Sequence, residues 1–536
     1  MKTSLLTCST LLLLAGCTAF GPSYEEHHPV TILDQAALAT DNRPDALPLL
    51  STEELPPEMN LWWQRFHDEA MAKLLAKAYA ANRTLVAARA NLAAARAAYE
   101  YQRGALWPTL SVGGDLTRSR TSENGLSGAS PTRSYTDYNL AASVRWELDF
   151  FGRTQFLVDA AAAEAEASEA DLKALWVSVS SNLASYYLEL RTLQGRLMVA
   201  EDNLKLQQAN YDLMADRNRA GITNDLQKNQ AEYDLRNTAA TIPSLKAQIV
   251  AAENAIALLC GVTPGTLPTE LIQSPVLPKA EAQATFEAGT VDGGVNMKAT
   301  GLRPTGIPQA DPLSFDKGIP ANAICRRPDV YAAERRFKAA FAKRGSAEAE
   351  HYPSIYISGN LGLDSISAGD LLDWESHFYN FGPGISIPIF RGGQIRANVK
   401  IKTEQERAAL ADYEHTVLAA LSDIRTALSG YLREQERLAQ LRLGVQAAQD
   451  AYDIASNKYN AGLGNFFYVL DAQRQLQTLD EARVISEGAI AQQQIALYKA
   501  LCGGWEGTEA NGQALFAQPA ESEAPAEGEQ QPAPQP

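Results

Sequence analysis

Residues 138–153 read YNLAASVRWELDFFGR, a strand-like stretch that runs directly into a helix-forming one. From Tyr138 to Leu148 apolar and polar side chains alternate, and this period of two is typical of a β-strand with one apolar face. From Arg153 onward no proline occurs before Pro243, and the composition is rich in the strong helix formers Ala, Leu, Glu, Gln, Lys and Arg. The segment Arg153–Arg219 is therefore predicted to be a single helix about 100 Å long.

The apolar residues of this helix recur every three to four positions, which makes a narrow, coiled-coil-like stripe. Such a stripe predicts packing against neighbouring helices and not a cofactor site, even though it contains Trp and Tyr. Turns at Gly221 and at 462–464 are expected to fold each long helix back on a return helix. The stripe consists of Leu172, Leu175, Trp176, Val179, Leu183, Tyr186, Tyr187, Leu190, Leu193 and Leu197.

The chain is an internal duplication, because four landmarks recur in the same order 240 to 245 residues apart. Each half contains a helix (about 68–103 and 328–349), two β-like segments, a very long helix and a shorter return helix. The landmarks are WPTLSV from Trp107 and YPSIYI from Tyr352, FFGR from Phe150 and FRGG from Phe390, the Ala-Gly turns at Gly221 and Gly462, and LCG from Leu259 and Leu501.

This pattern divides the chain into six segments. They are 1–16, a signal peptide; 17–60, a lipidated N-terminal extended segment; 61–263, the first repeat; 264–320, a connector or equatorial region; 321–504, the second repeat; and 505–536, a disordered acidic tail rich in Pro, Ala and Glu.

The N-terminus has the pattern of an export signal, with a basic start and a short apolar run over 5–15. That run ends in Leu-Ala-Gly-Cys, which resembles the bacterial lipobox and predicts a diacylglycerol on Cys17. Two or more acyl chains hold a protein stably on a membrane. Thr18, and not Asp, follows the cysteine, which in lipoproteins implies passage to the outer membrane.

Composition and motifs exclude several classes of function. The net charge of −16 offers no basic surface for nucleic acid, and no apolar run after residue 20 is long enough for a transmembrane helix. The six histidines are scattered and no nucleotide-binding, hydrolase or zinc motif occurs, so neither an enzyme nor a metal site is expected. Cys260 and Cys502 each precede a glycine and are either small buried residues or a disulfide.

The strand-like segments suit either a soluble sheet or a transmembrane barrel, since both have one apolar and one polar face. In lipid an open sheet edge is not allowed, and small closed barrels need about eight strands. Four strands per chain would then demand oligomerisation, with twelve strands from a trimer or eight from a dimer.

Several motifs resemble those of the outer membrane factors, the TolC-like channels, and the lipobox indicates the lipoprotein branch that serves RND-type multidrug efflux pumps. The resemblance covers about 61–505. It implies a mainly α fold with a small β part: a long α-helical coiled-coil barrel plus four transmembrane β-strands per chain, closed as a twelve-stranded barrel in a homotrimer. The motifs are WELDFFGR from Trp146, RRPDV from Arg326, AAERR from Ala332, PIFRGG from Pro388 and VLDAQ from Val469.

The resemblance also implies partners and site residues. The partners are a periplasmic adaptor, an inner-membrane RND-type pump and outer-membrane lipid, with the lipid on Cys17 as the only attached group. Asp471 and Phe467 correspond to a periplasmic gate, a charged ring and an apolar plug. Gly152, Arg153, Gly392 and Gly393 correspond to strand–helix corners that tolerate little side chain. The turns that would contact the adaptor are Ala220, Gly221, Ile222, Thr223, Ala461, Gly462, Leu463 and Gly464.

Simpler interpretations stay open for each of these sites. Asp471 and Phe467 could be a solvated carboxylate and a packed ring, and the turns could be tight turns without a partner. Asp329 is expected only to complement the start of the second repeat's first helix, after Pro328 at its first position. The alternatives for the whole chain are a TolC-like conduit for type I secretion and a lipid-tethered periplasmic coiled-coil scaffold.

Overall fold

The computed structural model describes residues 24, 50–51, 57–120, 134–273, 288–291, 294–297, 305–311, 319–320, 322–501, 503 and 505. Cys17, Cys502 and the acidic tail beyond 505 lie outside these residues. The chain divides into two compact units. One takes in 1–32, 89–172 and 328–417, and the other 33–88, 173–327 and 418–536.

Both repeats contain two strands, a long helix and a return helix in the same order, preceded by shorter helices. The first has helices α1 and α2, strands β1 and β2, the long helix α3 and the return helix α4. The second has α5, β3, β4, the long helix α6 and the return helix α7. Their bounds are α1 Glu69–Ala81, α2 Arg83–Gly104, β1 Thr109–Arg120, β2 Ser134–Leu148, α3 Arg153–Arg219, α4 Asp225–Leu259, α5 Pro328–Ala349, β3 Ser354–Ser365, β4 His377–Ser386, α6 Gln394–Asn460 and α7 Phe466–Ala500.

The helix lengths repeat without change between the two halves. The long helices α3 and α6 each have 67 residues, and the return helices α4 and α7 each have 35. The predicted bounds of α3 and α5 are confirmed at both ends. Within the part of the chain that the structure describes, no helix is both long and apolar enough to cross a membrane.

The four strands form one antiparallel sheet in the order β1-β2-β3-β4, so the strand pairs of the two repeats meet at β2 and β3. Val144 of β2 lies opposite Leu110 on one side and Gly359 on the other. The two strands per repeat that the sequence predicts are confirmed. The outer strands β1 and β4 each have one edge outside this sheet, and both expose large apolar side chains, among them Leu110, Val112, Leu116, Tyr379, Phe381 and Ile385.

The first helical segment differs from the prediction, because the expected helix over 68–103 is two helices. The chain is extended at Asn82, with ψ at 124°. The Asn82 Oδ1 accepts hydrogen bonds from the backbone N–H groups of Thr84 and Leu85, at 3.0 and 3.1 Å. Asn82 therefore acts as an N-cap that restarts the chain as α2, which periodicity alone does not reveal.

Two prolines show how position decides the effect of this residue on a helix. Pro328 is the first residue of α5, as the sequence predicts, and the Asp329 side chain accepts a hydrogen bond from the N–H of Val330 at 3.0 Å. Pro243 lies inside α4, which continues through it despite the missing backbone donor.

The predicted stripe of α3 packs as expected. Leu183, Tyr187 and Leu190 are fully buried, while Tyr186 is an exposed exception. Close to the stripe, α3 also fixes the chain after α4: Gln194 donates a hydrogen bond to the Ile272 carbonyl at 2.6 Å, and Arg191 donates to the Gln273 carbonyl.

Cys260 is a free thiol at the end of α4 and is fully buried. Its sulfur lies 3.7 Å from the carbonyl oxygen of Leu74, and burial raises the pKa of the thiol to about 11. The sequence leaves open whether Cys260 is a small buried residue or part of a disulfide, and in the structure it is the small buried residue.

Candidate functional site

The turn after each long helix is a Schellman motif built around a glycine. Gly221 and Gly462 both have φ at 72°, a left-handed conformation that glycine adopts without steric cost. In the first turn the N–H of Gly221 donates to the Asn218 carbonyl and that of Ile222 to the Arg217 carbonyl. The second turn repeats both bonds, 241 residues later. The backbone of Ala220–Thr223 and 461–464 is therefore set by the chain itself.

Each turn exposes one aliphatic side chain and is followed by a capped return helix. Ile222 is 72% exposed and Leu463 is 82% exposed. Asn224 caps α4 through the N–H of Gln227, and Asn465 caps α7 through the N–H of Phe467. Because both sides of each turn are fixed, the two side chains are presented to solvent on rigid supports.

The start of α7 has one buried face and one exposed face. Phe466 and Leu470 belong to a core cluster with Met214, Tyr452 and neighbouring residues of the other long helices. Phe467 and Asp471 lie one turn apart on the exposed face, and the Phe467 ring is 46% exposed. The structure thus brings the two predicted gate residues together on one surface, outside the core.

A set of polar contacts, here called the brace, links the first hairpin (α3 and α4) to the second (α6 and α7) behind this surface. Arg474 of α7 donates a hydrogen bond to Asp234 of α4 at 2.8 Å, and the Asp234 side chain is only 8% exposed. Arg217 of α3 donates to the Tyr459 hydroxyl, with its guanidinium 5.0 Å from the ring centre. Three amide contacts complete the brace, Asn210 to Gln473 at 2.9 Å, Gln207 to Gln477 at 3.1 Å and Gln477 to Thr238 at 3.2 Å.

The brace contains an ion pair between Arg474 and Asp234, but it leaves some buried polar atoms without hydrogen bonds. The hydrogen bond to Asp234 raises the pKa of Arg474, and the nearby charge of Asp471 adds to the effect, so the guanidinium stays ionised. Among the described residues, Oδ2 of Asp234 and Nε2 of Gln473 are buried and make no hydrogen bond. A buried polar atom left in this state costs roughly 1–3 kcal/mol, so the brace does not lock the hairpins as firmly as a fully paired network would.

The strand–helix corners are shaped by backbone conformation. Gly152 has φ at 73°, and Gly392 and Gly393 have φ at 58° and 83°. A Cβ on Gly392 or Gly393 would meet no atom within 4 Å, so crowding, the expected reason for these two glycines, does not apply and the left-handed conformation does. Arg153 donates three hydrogen bonds to the Glu147 carboxylate, at 2.8, 2.9 and 3.3 Å, which ties the start of α3 to the end of β2.

Sequence reasoning missed the brace. Its signal was the repeat spacing itself, since Arg474 and Asp234 are 240 residues apart and Tyr459 and Arg217 are 242 apart. Residues at nearly equivalent positions of the two halves meet because equivalent helices pack together. Complementary side chains one repeat apart were therefore findable candidates.

The comparisons with known proteins agree with this architecture. Residues 74–262 and 319–503 match the family described as outer membrane efflux protein, so both repeats are covered. The chain is 29% identical over 507 residues to the probable efflux pump outer membrane protein TtgC of Pseudomonas putida KT2440, with 94% of this chain and 96% of TtgC covered. It is 27% identical to the probable outer membrane lipoprotein SilC of Salmonella typhimurium, with 94% and 99% covered.

A solved structure shares the fold. The outer-membrane channel OprN superposes with a TM-score of 0.73 at 28% identity, covering 88% of this chain and 99% of OprN. On the evidence of both repeats, the chain belongs to the outer membrane efflux protein family.

Proposed function

We propose that this chain is the outer-membrane exit duct of a tripartite efflux pump. It conducts small molecules passively from an inner-membrane pump and a periplasmic adaptor to the exterior. The observation that carries this proposal is the family match over both repeats, 74–262 and 319–503, on a fold in which a pair of strands and a 67-residue helix occur twice. Relatives named as efflux pump outer membrane proteins support it.

The edges of the sheet support assembly of several copies, and the resemblance to the outer membrane factors favours a homotrimer. Strands β1 and β4 have no neighbour on their outer sides among the described strands, and they expose apolar side chains. Open strand edges are not tolerated in lipid, so several copies have to close the sheet. Three copies supply twelve strands and one shared duct lined by helices.

The test of the exit duct is drug susceptibility. A deletion strain should lose resistance to a panel of hydrophobic antibiotics and dyes, and the gene on a plasmid should restore it. Unchanged susceptibility across the panel, in a strain without other channels of this family, would contradict an efflux role and favour a secretion conduit or a scaffold.

The gate of this duct is formed by Phe467 and Asp471. Both stand on the exposed face of α7 beside the turn at Gly462, and a trimer would bring three copies of each around one axis. Rings of carboxylates favour cations, and apolar constrictions stop water and ions by dewetting. The two together would keep the periplasmic end closed to ions.

The turns serve as the adaptor contact, and a bulky residue there should block assembly of the pump. We expect Gly221→Trp to abolish drug resistance while trimers persist on native gels. Gly265→Trp is the matched control, because Gly265 also has a positive φ, at 82°, and open space around it but lies outside the turns. If both variants lose resistance equally, backbone strain and not adaptor contact is responsible.

The lipid anchor depends on Cys17. We expect Cys17→Ser to abolish incorporation of labelled palmitate, since the thiol carries the diacylglycerol. Cys8→Ser, within the signal region, should leave labelling unchanged. Label in the Cys17→Ser chain would show that the acyl group is attached elsewhere or that the apolar run is an ordinary signal.

A further inference from the structure

Tyr24 makes specific contacts with α5, 310 residues away in sequence. Its hydroxyl donates a hydrogen bond to Oε1 of Glu334 at 2.6 Å. Its ring packs at 5.9 Å from the ring of Phe337 and at 5.5 Å, edge to face, from that of Phe341. The ammonium of Lys338 lies 5.9 Å from the centre of the Tyr24 ring. Glu334, Phe337, Lys338 and Phe341 occupy one face of α5, because Phe337 and Lys338 each lie three or four positions from both Glu334 and Phe341.

The acceptor of this hydrogen bond, Glu334, is a buried carboxylate beside an arginine. Glu334 is buried, and its second oxygen is 2.9 Å from Nε of Arg335. A hydrogen bond to a charged group is stronger than one between neutral groups. Tyr24 stays neutral and able to donate, because its burial and its contact with Glu334 raise its pKa.

The position of Tyr24 in the sequence, shortly after Cys17, indicates what this contact holds in place. Tyr24 is seven residues after Cys17, so an extended chain between them reaches at most about 25 Å. The ring of Tyr24 packs between Phe337 and Phe341. From those residues, α5 rises about 12 to 18 Å to its end at Ala349, shortly before β3 begins at Ser354. The seven residues are thus long enough to reach the end of α5, shortly before the sheet begins.

We propose that Tyr24 is the positioning residue that fastens the acylated N-terminal segment to α5, so that the lipid on Cys17 enters the membrane beside the start of the sheet. This inference rests on the proposed function, which places the sheet in the outer membrane and a lipid on Cys17. It assigns the Tyr24 hydroxyl and ring, together with Glu334, Phe337 and Phe341, to the holding of a covalently lipidated segment of the same chain.

The contact itself is tested by photo-cross-linking in native membranes. A benzophenone amino acid in place of Lys338 should cross-link to the peptide that contains Tyr24, identified by mass spectrometry. In place of Arg336 it should not, because Arg336 is exposed on another face of α5 and pairs with Asp171. The yield at 338 should fall at least tenfold with Tyr24→Ala and be largely retained with Tyr24→Phe, which keeps the ring. Equal yields for Tyr, Phe and Ala would overturn the proposal.

The reach of the seven residues is tested by shortening the tether. Deleting residues 19–22 reduces the reach between Cys17 and Tyr24 to about 11 Å, less than the distance to the end of α5. The acylated chain should then lose the cross-link from 338 at least tenfold, because the membrane-held lipid pulls Tyr24 away. The same deletion in a chain exported by a signal that leaves no acylated cysteine should keep the cross-link. Retention in both chains would overturn the placement of the lipid.

These readouts are independent of efflux. If the cross-links behave as expected but the deletion strain keeps its drug resistance, the proposal of an exit duct is wrong and the proposed contact of Tyr24 stands. If resistance is lost but no cross-link to the Tyr24 peptide forms, the proposed contact of Tyr24 is wrong and the proposal of an exit duct stands.

Discussion

Replacing Phe467 and Asp471 together by alanine should raise the closed-state conductance of the reconstituted trimer several-fold. Each chain contributes one half-exposed aromatic ring and, one turn away, one exposed carboxylate. Neither side chain belongs to the core cluster, where the adjacent Phe466 and Leu470 pack. The substitutions would therefore widen and neutralise the proposed constriction without removing core packing, and ion leakage across planar bilayers measures the result.

The two residues make separable contributions. Asp471→Asn keeps the size of the side chain and removes three charges per trimer, so it should weaken cation selectivity and move the reversal potential in a salt gradient towards zero. Phe467→Ala should raise the conductance with less change in selectivity, because the dewetted constriction is lost while the carboxylates remain.

The duplication supplies a matched control for this experiment. Leu226 and Gln230 stand 241 residues before Phe467 and Asp471, at the same places of the first repeat's return helix, and Leu226 is also exposed. The variant Leu226→Ala with Gln230→Ala should leave closed-state conductance unchanged. A gate at Phe467 and Asp471 is contradicted if their double variant conducts no more than the wild type, or if the control leaks equally.

Long elements were predictable because many residues in them favour the same secondary structure. Over Arg153–Arg219 the absence of proline, the helix formers and the apolar stripe all point to one helix, and the structure has the same bounds. The strand order was less accessible, since nothing in β2 alone says that its second neighbour is β3, more than 200 residues later. Only the repeat points to this pairing, because each half supplies one pair of strands and the two pairs meet at β2 and β3.

Single residues with competing local interactions were the ones missed. Asn82 sits in a strongly helix-forming stretch, yet its side chain caps α2 and also donates to the Leu259 carbonyl at 2.7 Å. That second partner is 177 residues away, so no local pattern contains it. Tyr24 and the brace were missed for the same reason, since their partners are set by packing between distant segments.

Breaking the brace at Arg474 should destabilise the hairpins much more than breaking a surface ion pair. Arg474→Ala leaves the Asp234 carboxylate buried without its charged partner. Losing a hydrogen bond to a charged group costs about 1.5–3 kcal/mol, and leaving a buried charge unpaired can cost more. The expected result is a lower midpoint temperature for trimer dissociation, together with a higher closed-state leak, because α4 and α7 are held together near the gate.

Arg236→Ala is the matched control, since Arg236 lies on α4 two residues from Asp234 and pairs with Glu232 on the helix surface. Exposed pairs of this kind contribute only about 0.3–0.5 kcal/mol, so the midpoint should hardly move. The double variant Asp234→Leu with Arg474→Leu should be less destabilised than Arg474→Ala, because it removes the buried charge along with its partner. If Arg474→Ala behaves like Arg236→Ala, the contact is incidental and the hairpins are held by their apolar cluster alone.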